Sequence, residues 1–343
     1  MRKQFLYLAL CILVSGAALK AETGAKGEGP RAVILIGWDG VGRADVKAGL
    51  KEGALPNLKK LASQGNLVAI DVLRMTDTKA GWAQILTGYE PEVTGVFGNY
   101  RYGPIPAGYS VFERLEKHFG ASGIFTGAAI AKKMHVDADP EQREPLTPKE
   151  LEKLQKKIET GTSEFSVEVE GDVPVKVTPA KPYYLTQGGM DVFVNDLRQD
   201  KKVGEKAIEL IEKHKGERLF LFVHFGRTDG AGHEHGHGSK PYRDAIVSAD
   251  AWTGKIMKKL VELGLYKDTL IYVTADHGFD VGMKKHHDAP YVFLATNDPK
   301  VMRRGTRADI TPTILDRFGV DLESIDPPLD GLPLTRPYTP PIM

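Results

Sequence analysis

Cysteine is almost absent from this chain of 343 residues: Cys11 is the only one, and it lies in an apolar stretch near the N-terminus. The rest of the sequence therefore has no disulfide, no cysteine metal ligand and no cysteine nucleophile. An excess of one charge is also lacking. Lys and Arg number 46 against 45 Asp and Glu, a formal net charge of +1, which leaves no nucleic-acid footprint. A hydrophobic share of 41% beside a charged share of 27% excludes a disordered chain. Long apolar runs are missing too. The most apolar stretch, residues 5–19, is shorter than the roughly 20 residues of a membrane-spanning helix. No internal repeat is visible.

What surrounds that short run gives it a meaning. Arg2 and Lys3 precede it, and the small residues Ala17, Ala18 and Ala21 follow. This is the pattern of an export signal, with cleavage expected after Ala21. Removing residues 1–21 takes away Arg2, Lys3 and Lys20 and no acid, turning the charge of +1 into −2. The expectation is an exported protein, periplasmic or secreted, with no stable membrane span after cleavage. Without disulfides, such a protein relies on its core and on bound metal for stability.

The length suits one large α/β domain, here expected over residues 31–325. Residues 32–37 (AVILIG) read as a buried first strand, 56–64 as a helix begun by Pro56, and 66–72 as a second strand. Further helices are expected at 81–86, after a loop at 76–79, and at 110–118. A strand lies within 122–131. Residues 134–190 change character: a charged helical stretch, then EFSVEVEGDVPVKVTP, whose alternation reads as a hairpin with one solvated face. This is an insertion, a small α+β cap on the sheet. A helix is expected to resume over 191–215, followed by a strand at 219–225, a helix at 241–263, strands at 270–275 and 291–295, and a helix at 310–318. Residues 326–343 form a Pro-rich tail, expected to be extended. Strands alternating with helices predict a three-layer α/β/α sandwich around a mostly parallel sheet.

Two of the apolar strands stop at a metal-ligand pattern. RLFLFVHFGRTDGAGHEHG carries Asp229 and His233; TLIYVTADHG carries Asp276 and His277. The first strand ends at Asp39, and His286 and His287 come later. Open parallel sheets bind ligands beyond the carboxyl ends of their strands, so these groups should meet in space. Three carboxylates and three imidazoles suit two adjacent divalent ions with open positions, zinc first and manganese as the alternative. Two such ions clamp the attacking and leaving oxygens of an in-line displacement at phosphorus. His224, by contrast, reads as a core histidine, and His235 and His237 as members of a Gly-rich loop.

The segments resemble the alkaline phosphatase superfamily, and within it the type I phosphodiesterase/nucleotide pyrophosphatase branch. GWDGVG supplies Asp39, and DTKAGWAQILTGYEPEVTGVFGN resembles the nucleophile segment, where the register of Leu86-Thr87-Gly88 puts the nucleophile at Thr78. TDGAGHEHG, TADHG and GMKKHHDAPYVFLATND follow in the family's order, and a ligand four residues before Pro290 favours His286 over His287. The resemblance implies that Asp39, Asp276 and His277 hold one ion, that Asp229, His233 and His286 hold the other, and that the Thr78 oxygen sits between them. A metal-activated Thr78 would form a phospho-threonine intermediate with a small phosphate ester. Two departures stand out. The family's Asn three residues after the nucleophile is Gly81 here, and its His before Gly95 is Thr94. Lys79, Asn99 or Arg227 would then supply the missing phosphate donor. Sulfatases share the fold but convert a Cys or Ser, and Thr78 is neither. The leading expectation is an exported phosphodiesterase or phosphomonoesterase. The alternatives are a phosphonate-ester hydrolase or phosphoryl transferase with the same site, or a metal-binding protein whose catalysis is impaired.

Overall fold

The computed structural model describes residues 29–338. The expected export signal at 1–21 and the last five residues of the tail lie outside the described residues. Eleven strands are present: β1 Ala32–Trp38, β2 Asn66–Asp71, β3 Phe125–Ile130, β4 Gln142–Pro145, β5 Ser166–Glu170, β6 Val173–Thr178, β7 Val192–Val194, β8 Leu219–Phe225, β9 Thr269–Thr274, β10 Tyr291–Thr296 and β11 Gly305–Thr306. Eight form one sheet in the order β11-β2-β10-β9-β1-β8-β3-β7. Its pairings are parallel except those of β10, which runs against both β2 and β9.

The apolar runs of β1 and β8 are buried at every position, as strands covered on both faces require. Alternate side chains show what covers them. On one face, Phe220 meets Phe112 at 5.0 Å between ring centroids, and Phe222 and His224 meet Trp82 at 5.2 and 5.1 Å. Phe112 and Trp82 belong to the helices Val111–Phe119 and Thr78–Thr87. On the other face, Trp38 donates to Thr253 Oγ1 at 3.3 Å, on the long helix Lys240–Glu262. The result is the expected α/β/α sandwich.

The register fixes the site. Gly37 lies beside both His224 and Thr274, and Trp38 beside Phe225. The residues that follow β1, β8 and β9 therefore emerge together at one edge of the sheet.

The segment between β3 and β7 carries its own antiparallel sheet, β4-β6-β5, and the helix Pro148–Glu159. Three local expectations need correction. Residues 191–215 are not all helix. Val192–Val194 pairs in parallel with β3, and the helix begins only at Asp200, because Asp196 and Arg198 both adopt φ of 60° and interrupt it. The nucleophile segment is helical from Thr78 rather than from 81. Residues 227–235 form a helix rather than a loop. Glycines weaken a helix by about 1 kcal/mol each, but here Gly232 lets it approach closely: a Cβ there would lie 2.4 Å from the Phe279 ring. The helix Arg43–Glu52 is an addition, masked in sequence because only Val46 is fully buried. Residues 326–338 contain neither helix nor strand. They run against the body, with Leu334 buried and its carbonyl accepting from Met302 N at 3.0 Å.

Candidate metal centre

Six of the seven core side chains lie in or directly beyond a strand or helix, and the seventh comes from a loop. Asp39 follows β1 directly, and its N–H donates to Phe225 O at 3.1 Å. Asp276 and His277 stand just beyond β9. Asp229 and His233 are four residues apart in the helix Arg227–His235, so they share one face. His286 comes from the loop before β10. Thr78 opens its helix.

The structure brings these residues into two groups. The ligand atoms of Asp39, Asp276 and His277 all lie within 4.8 Å of one another, as do those of Asp229, His233 and His286. His277 stands between the groups: its Nε2 is 3.5 Å from Asp39 Oδ1, 3.4 Å from Asp276 Oδ2 and 3.8 Å from Asp229 Oδ1. Thr78 Oγ1 is 3.1 Å from the same Nε2. The His277 and His286 rings stack at 3.9 Å. His287 is exposed and lies outside both groups.

The polar atoms of this pit fit a cation poorly supplied by the protein itself. Asp39 Oδ1, Asp229 Oδ1, Asp276 Oδ2 and His286 Nδ1 are buried without a hydrogen-bond partner, whereas buried polar groups are normally paired. His277 Nδ1 sits 2.9 Å from Gly278 O, and His233 Nδ1 sits 2.9 Å from Lys284 O. A carbonyl can only accept, so each Nδ1 carries the proton. When the ring is neutral, Nε2 is then a bare lone pair facing carboxylate oxygens. Metal-binding histidines are oriented in this way.

The charges act on one another strongly. Burial pushes Asp276 well above the usual carboxylate range, and the charges of Asp39 and Asp229 add to this. Burial would raise Asp39 as well, but Lys132, His135 and His224 hold it well below. Asp229 is likewise held low, against burial and Asp39, by His233, Lys132 and His277. Burial, reinforced by His277, lowers His286 to about 4, and burial lowers His277. Both shifts favour the neutral imidazole, the form of histidine that ligates metals.

A profile of the family described as type I phosphodiesterase / nucleotide pyrophosphatase matches residues 33–326. The chain belongs to that family. It is a type I phosphodiesterase-family protein of the alkaline phosphatase superfamily, whose members act on phosphate or sulfate esters and use divalent metals. Among curated relatives, a 2,3-bisphosphoglycerate-independent phosphoglycerate mutase of Clostridium botulinum (strain Langeland / NCTC 10281 / Type F) is 32% identical over 125 residues, covering 33% of this chain and 23% of the mutase. Arylsulfatase A of Bos taurus is 25% identical over 318 residues, covering 78% of this chain and 56% of the relative. The chain thus spans less than two thirds of either protein. Alkaline phosphatase from the Antarctic bacterium TAB5 shares the fold, with a TM-score of 0.53 and 14% identity, covering 86% of this chain and 99% of that one. The lipoteichoic acid synthase LtaP from Listeria monocytogenes shares it too, with a TM-score of 0.56 and 14% identity, covering 90% and 76%. Among the described residues, no helix is long and apolar enough to cross a membrane.

In this family member the absent Asn at position 81 has a steric cause. A Cβ on Gly81 would lie 2.8 Å from Arg307 Nη1 and 2.8 Å from Asp276 Cβ. Arg307, itself buried, donates to Asp276 O and to Met75 O, each at 2.8 Å. It ties the Asp276 turn to the segment leading into Thr78.

The three substitute donors fare differently. Lys79 is directed elsewhere. Its ammonium is buried, donates to Asn99 O at 2.7 Å and lies 3.1 Å from Glu164 Oε2. Successive helical residues point about 100° apart, so the neighbour of Thr78 is turned away from the pit. Asn99 Oδ1 accepts from Lys79 N at 3.1 Å, which leaves its NH2 to offer. Asn99 and the exposed Arg227 line a cavity of about 1250 Å³ that also reaches Thr78, Asp229, His233 and His286.

A fourth candidate donor carries no motif in the sequence. Lys132 also lines this cavity; its Nζ is hydrogen-bonded to Asp229 Oδ2 and lies 3.7 Å from Asp39 Oδ2. It therefore touches one carboxylate of each group. The available signal was position: it stands two residues beyond β3, at the same sheet edge as Asp39, Asp229 and Asp276. His224 is more than a core histidine, because its Nε2 sits 3.0 Å from Asp39 Oδ2.

Proposed function

We propose that this chain is a two-metal phosphohydrolase that cleaves small phosphate esters through Thr78. The observation that carries this reading is the pair of ligand groups, with their unpartnered carboxylate oxygens, flanking one threonine hydroxyl. Asp39, Asp276 and His277 would hold one ion, and Asp229, His233 and His286 the other. A set of carboxylates and imidazoles without thiolate suits zinc or manganese. Bound there, the ions would supply charge stabilisation at the nucleophile and at the phosphoryl oxygens.

The remaining work falls to the chain. Thr78 Oγ1, its proton passed to water, attacks phosphorus in line; a new P–O bond forms, the bond to the leaving oxygen breaks, and that oxygen takes a proton from water to leave as the alcohol. Water then attacks the phospho-threonine, the P–Oγ1 bond breaks, Oγ1 regains a proton from that water, and phosphate departs from a monoester, or a phosphate monoester from a diester. The helix that begins at Thr78 directs its N-terminal end towards the developing negative charge. Lys132 is the cation best placed to meet a phosphoryl oxygen, taking the part that Gly81 leaves unfilled. The signal-like residues 1–21 favour action outside the cytoplasm.

The test is an ester panel on purified protein loaded with zinc or manganese. It should contain p-nitrophenyl phosphate, bis(p-nitrophenyl) phosphate, p-nitrophenyl phenylphosphonate and p-nitrophenyl sulfate. Turnover of a phosphate ester that a chelator abolishes is the expected result. Turnover of the sulfate alone, or of nothing with either metal, would overturn the proposal.

A further inference from the structure

Next to Thr78, the inserted segment meets the catalytic body at a buried cluster of charges. The Lys79 ammonium lies 4.0 Å from the centroid of the Tyr102 ring and 3.1 Å from Glu164 Oε2. Glu164 belongs to the insertion, between the helix Pro148–Glu159 and β5. The same Oε2 accepts from Lys181 Nζ at 2.6 Å and from the Tyr102 hydroxyl at 2.8 Å. Lys181, which follows β6, also reaches the Tyr102 hydroxyl at 2.7 Å. One carboxylate thus gathers two ammonium groups and a phenol. Beside it, Ile105 N donates to Pro182 O at 2.8 Å.

This cluster differs from a surface ion pair. Lys79 is 1% exposed and Tyr102 9%, so the cation is held almost out of solvent, against a Glu164 side chain that is 23% exposed. Removing the anion from such a pair leaves a buried charge uncompensated. Glu164 thus ties this part of the insertion to the helix that carries Thr78.

The insertion also shapes the cavity. Its residues Met134, His135, Glu164 and Lys181 share the lining with Thr78 and Asp229. The volume of about 1250 Å³ is ample for a drug-sized ligand and far more than a phosphoryl group needs. The part of an ester beyond phosphorus must meet this wall.

We propose that Glu164 is a positioning residue that locks the inserted segment onto Lys79, and that the wall so held selects esters by the size of their leaving group. The selection rests on the hydrolase reading above; the lock does not.

Two measurements on the full chain separate them. The first is limited trypsin digestion of Glu164→Gln, with cleavage sites read by mass spectrometry. Glutamine keeps the shape and removes the charge, and cleavage of folded protein tracks local opening. Cleavage within residues 134–190 should quicken about tenfold, with Glu164→Asp in between; an unchanged rate overturns the lock, and if Glu164→Gln does not fold, Glu164→Asp decides. The second compares KM for a p-nitrophenyl ester and a bulkier naphthol ester of the class that the wild type hydrolyses. The ratio of the two KM values should shift by about tenfold, a misplacement of about 1 Å being able to cost up to 100-fold, while kcat for the smaller ester changes less. Quicker digestion with an unchanged KM ratio overturns the selection. If the wild type hydrolyses no ester, the hydrolase reading falls, and digestion still decides the lock.

Discussion

Two buried charge clusters lie one residue apart in sequence and behave in opposite ways. Around Thr78, Asp39, Asp229 and Asp276 each keep an oxygen with no partner, and His277 turns a bare nitrogen towards them. Around Lys79, every charged group has a partner: one carboxylate, Glu164, is shared by both lysines, and Tyr102 closes the cluster. Protein interiors do not leave polar atoms unpaired without cause. The first cluster is complete only with something added, and the second is complete as it stands. The one is a site and the other a joint.

The sharpest way to break this comparison is Thr78→Ala. If the pit is a catalytic centre, kcat should fall by at least about 10⁴-fold, the scale seen when a nucleophile is removed, and metal content by elemental analysis should stay near that of the wild type. Full turnover in the variant would remove Thr78 from the chemistry. Stripping the metal comes next. Ligand binding stabilises the native state by about 4 kcal/mol at a concentration 1,000 times Kd, so the unfolding midpoint should rise on adding zinc or manganese and fall back with chelator. Insensitivity to both ions would mean that the unpaired oxygens have another cause.

Lys132 lies on the border of the two behaviours, because it partly compensates the pit. Lys132→Met should lower kcat/KM by about 10²–10³-fold, as loss of a charge-stabilising donor does. The same variant should gain more thermal stability from zinc than the wild type gains, since the carboxylates have lost their internal cation. An equal gain in both would show that Lys132 and the metal do not share those oxygens.

The difference between the clusters also explains what could be read from sequence. AVILIGW, LFLFVHF and TLIYVT are legible as strands because burial on both faces leaves runs that are almost wholly apolar. Their shared carboxyl edge then brings Asp39, Asp229 and Asp276 together by topology alone. Contacts that depend on helix rotation or on loop paths are not written in this way. Lys79 adjoins Thr78 in sequence, yet the turn of the helix sends it to Tyr102. Lys132 carries no motif that ties it to Asp229, 97 residues later. Glycines at 226, 230 and 232 disguise a helix; the structure explains Gly232 by its fit against Phe279 and Gly226 by its fit against Lys132, and nothing in it explains Gly230. Gly81 reads as a missing Asn until Arg307 is seen filling the space, which no local pattern announces.

That last point can be tested by restoring the family's residue. Gly81→Asn places a Cβ 2.8 Å from both Arg307 Nη1 and Asp276 Cβ. Overpacking of this kind costs about 1–3 kcal/mol. Urea unfolding should report that loss, and activity should fall rather than rise because Asp276 is displaced. A gain in activity at unchanged stability would mean that the space tolerates the missing donor.

The smallest effect belongs to the joint, and its sign follows from Glu164. Burial alone would raise this carboxyl, but hydrogen bonds from Lys181 and Tyr102, together with Lys79, bring it from the ordinary 4.5 down to about 2. A carboxylate whose pKa is depressed by folding adds stability that is fully present above its unfolded pKa and fades as pH falls towards the folded value. The wild type should therefore exceed Glu164→Gln by about 1–3 kcal/mol at pH 7, the worth of a hydrogen bond to a charged group. The gap should hold down to about pH 4.5 and close as pH approaches 2. Chemical unfolding of both proteins across this range measures the difference directly, and other carboxylates cancel between them. A gap that stays constant with pH would mean that the charge on Glu164 does not hold the insertion in place, and the joint would then owe its stability to packing around Tyr102.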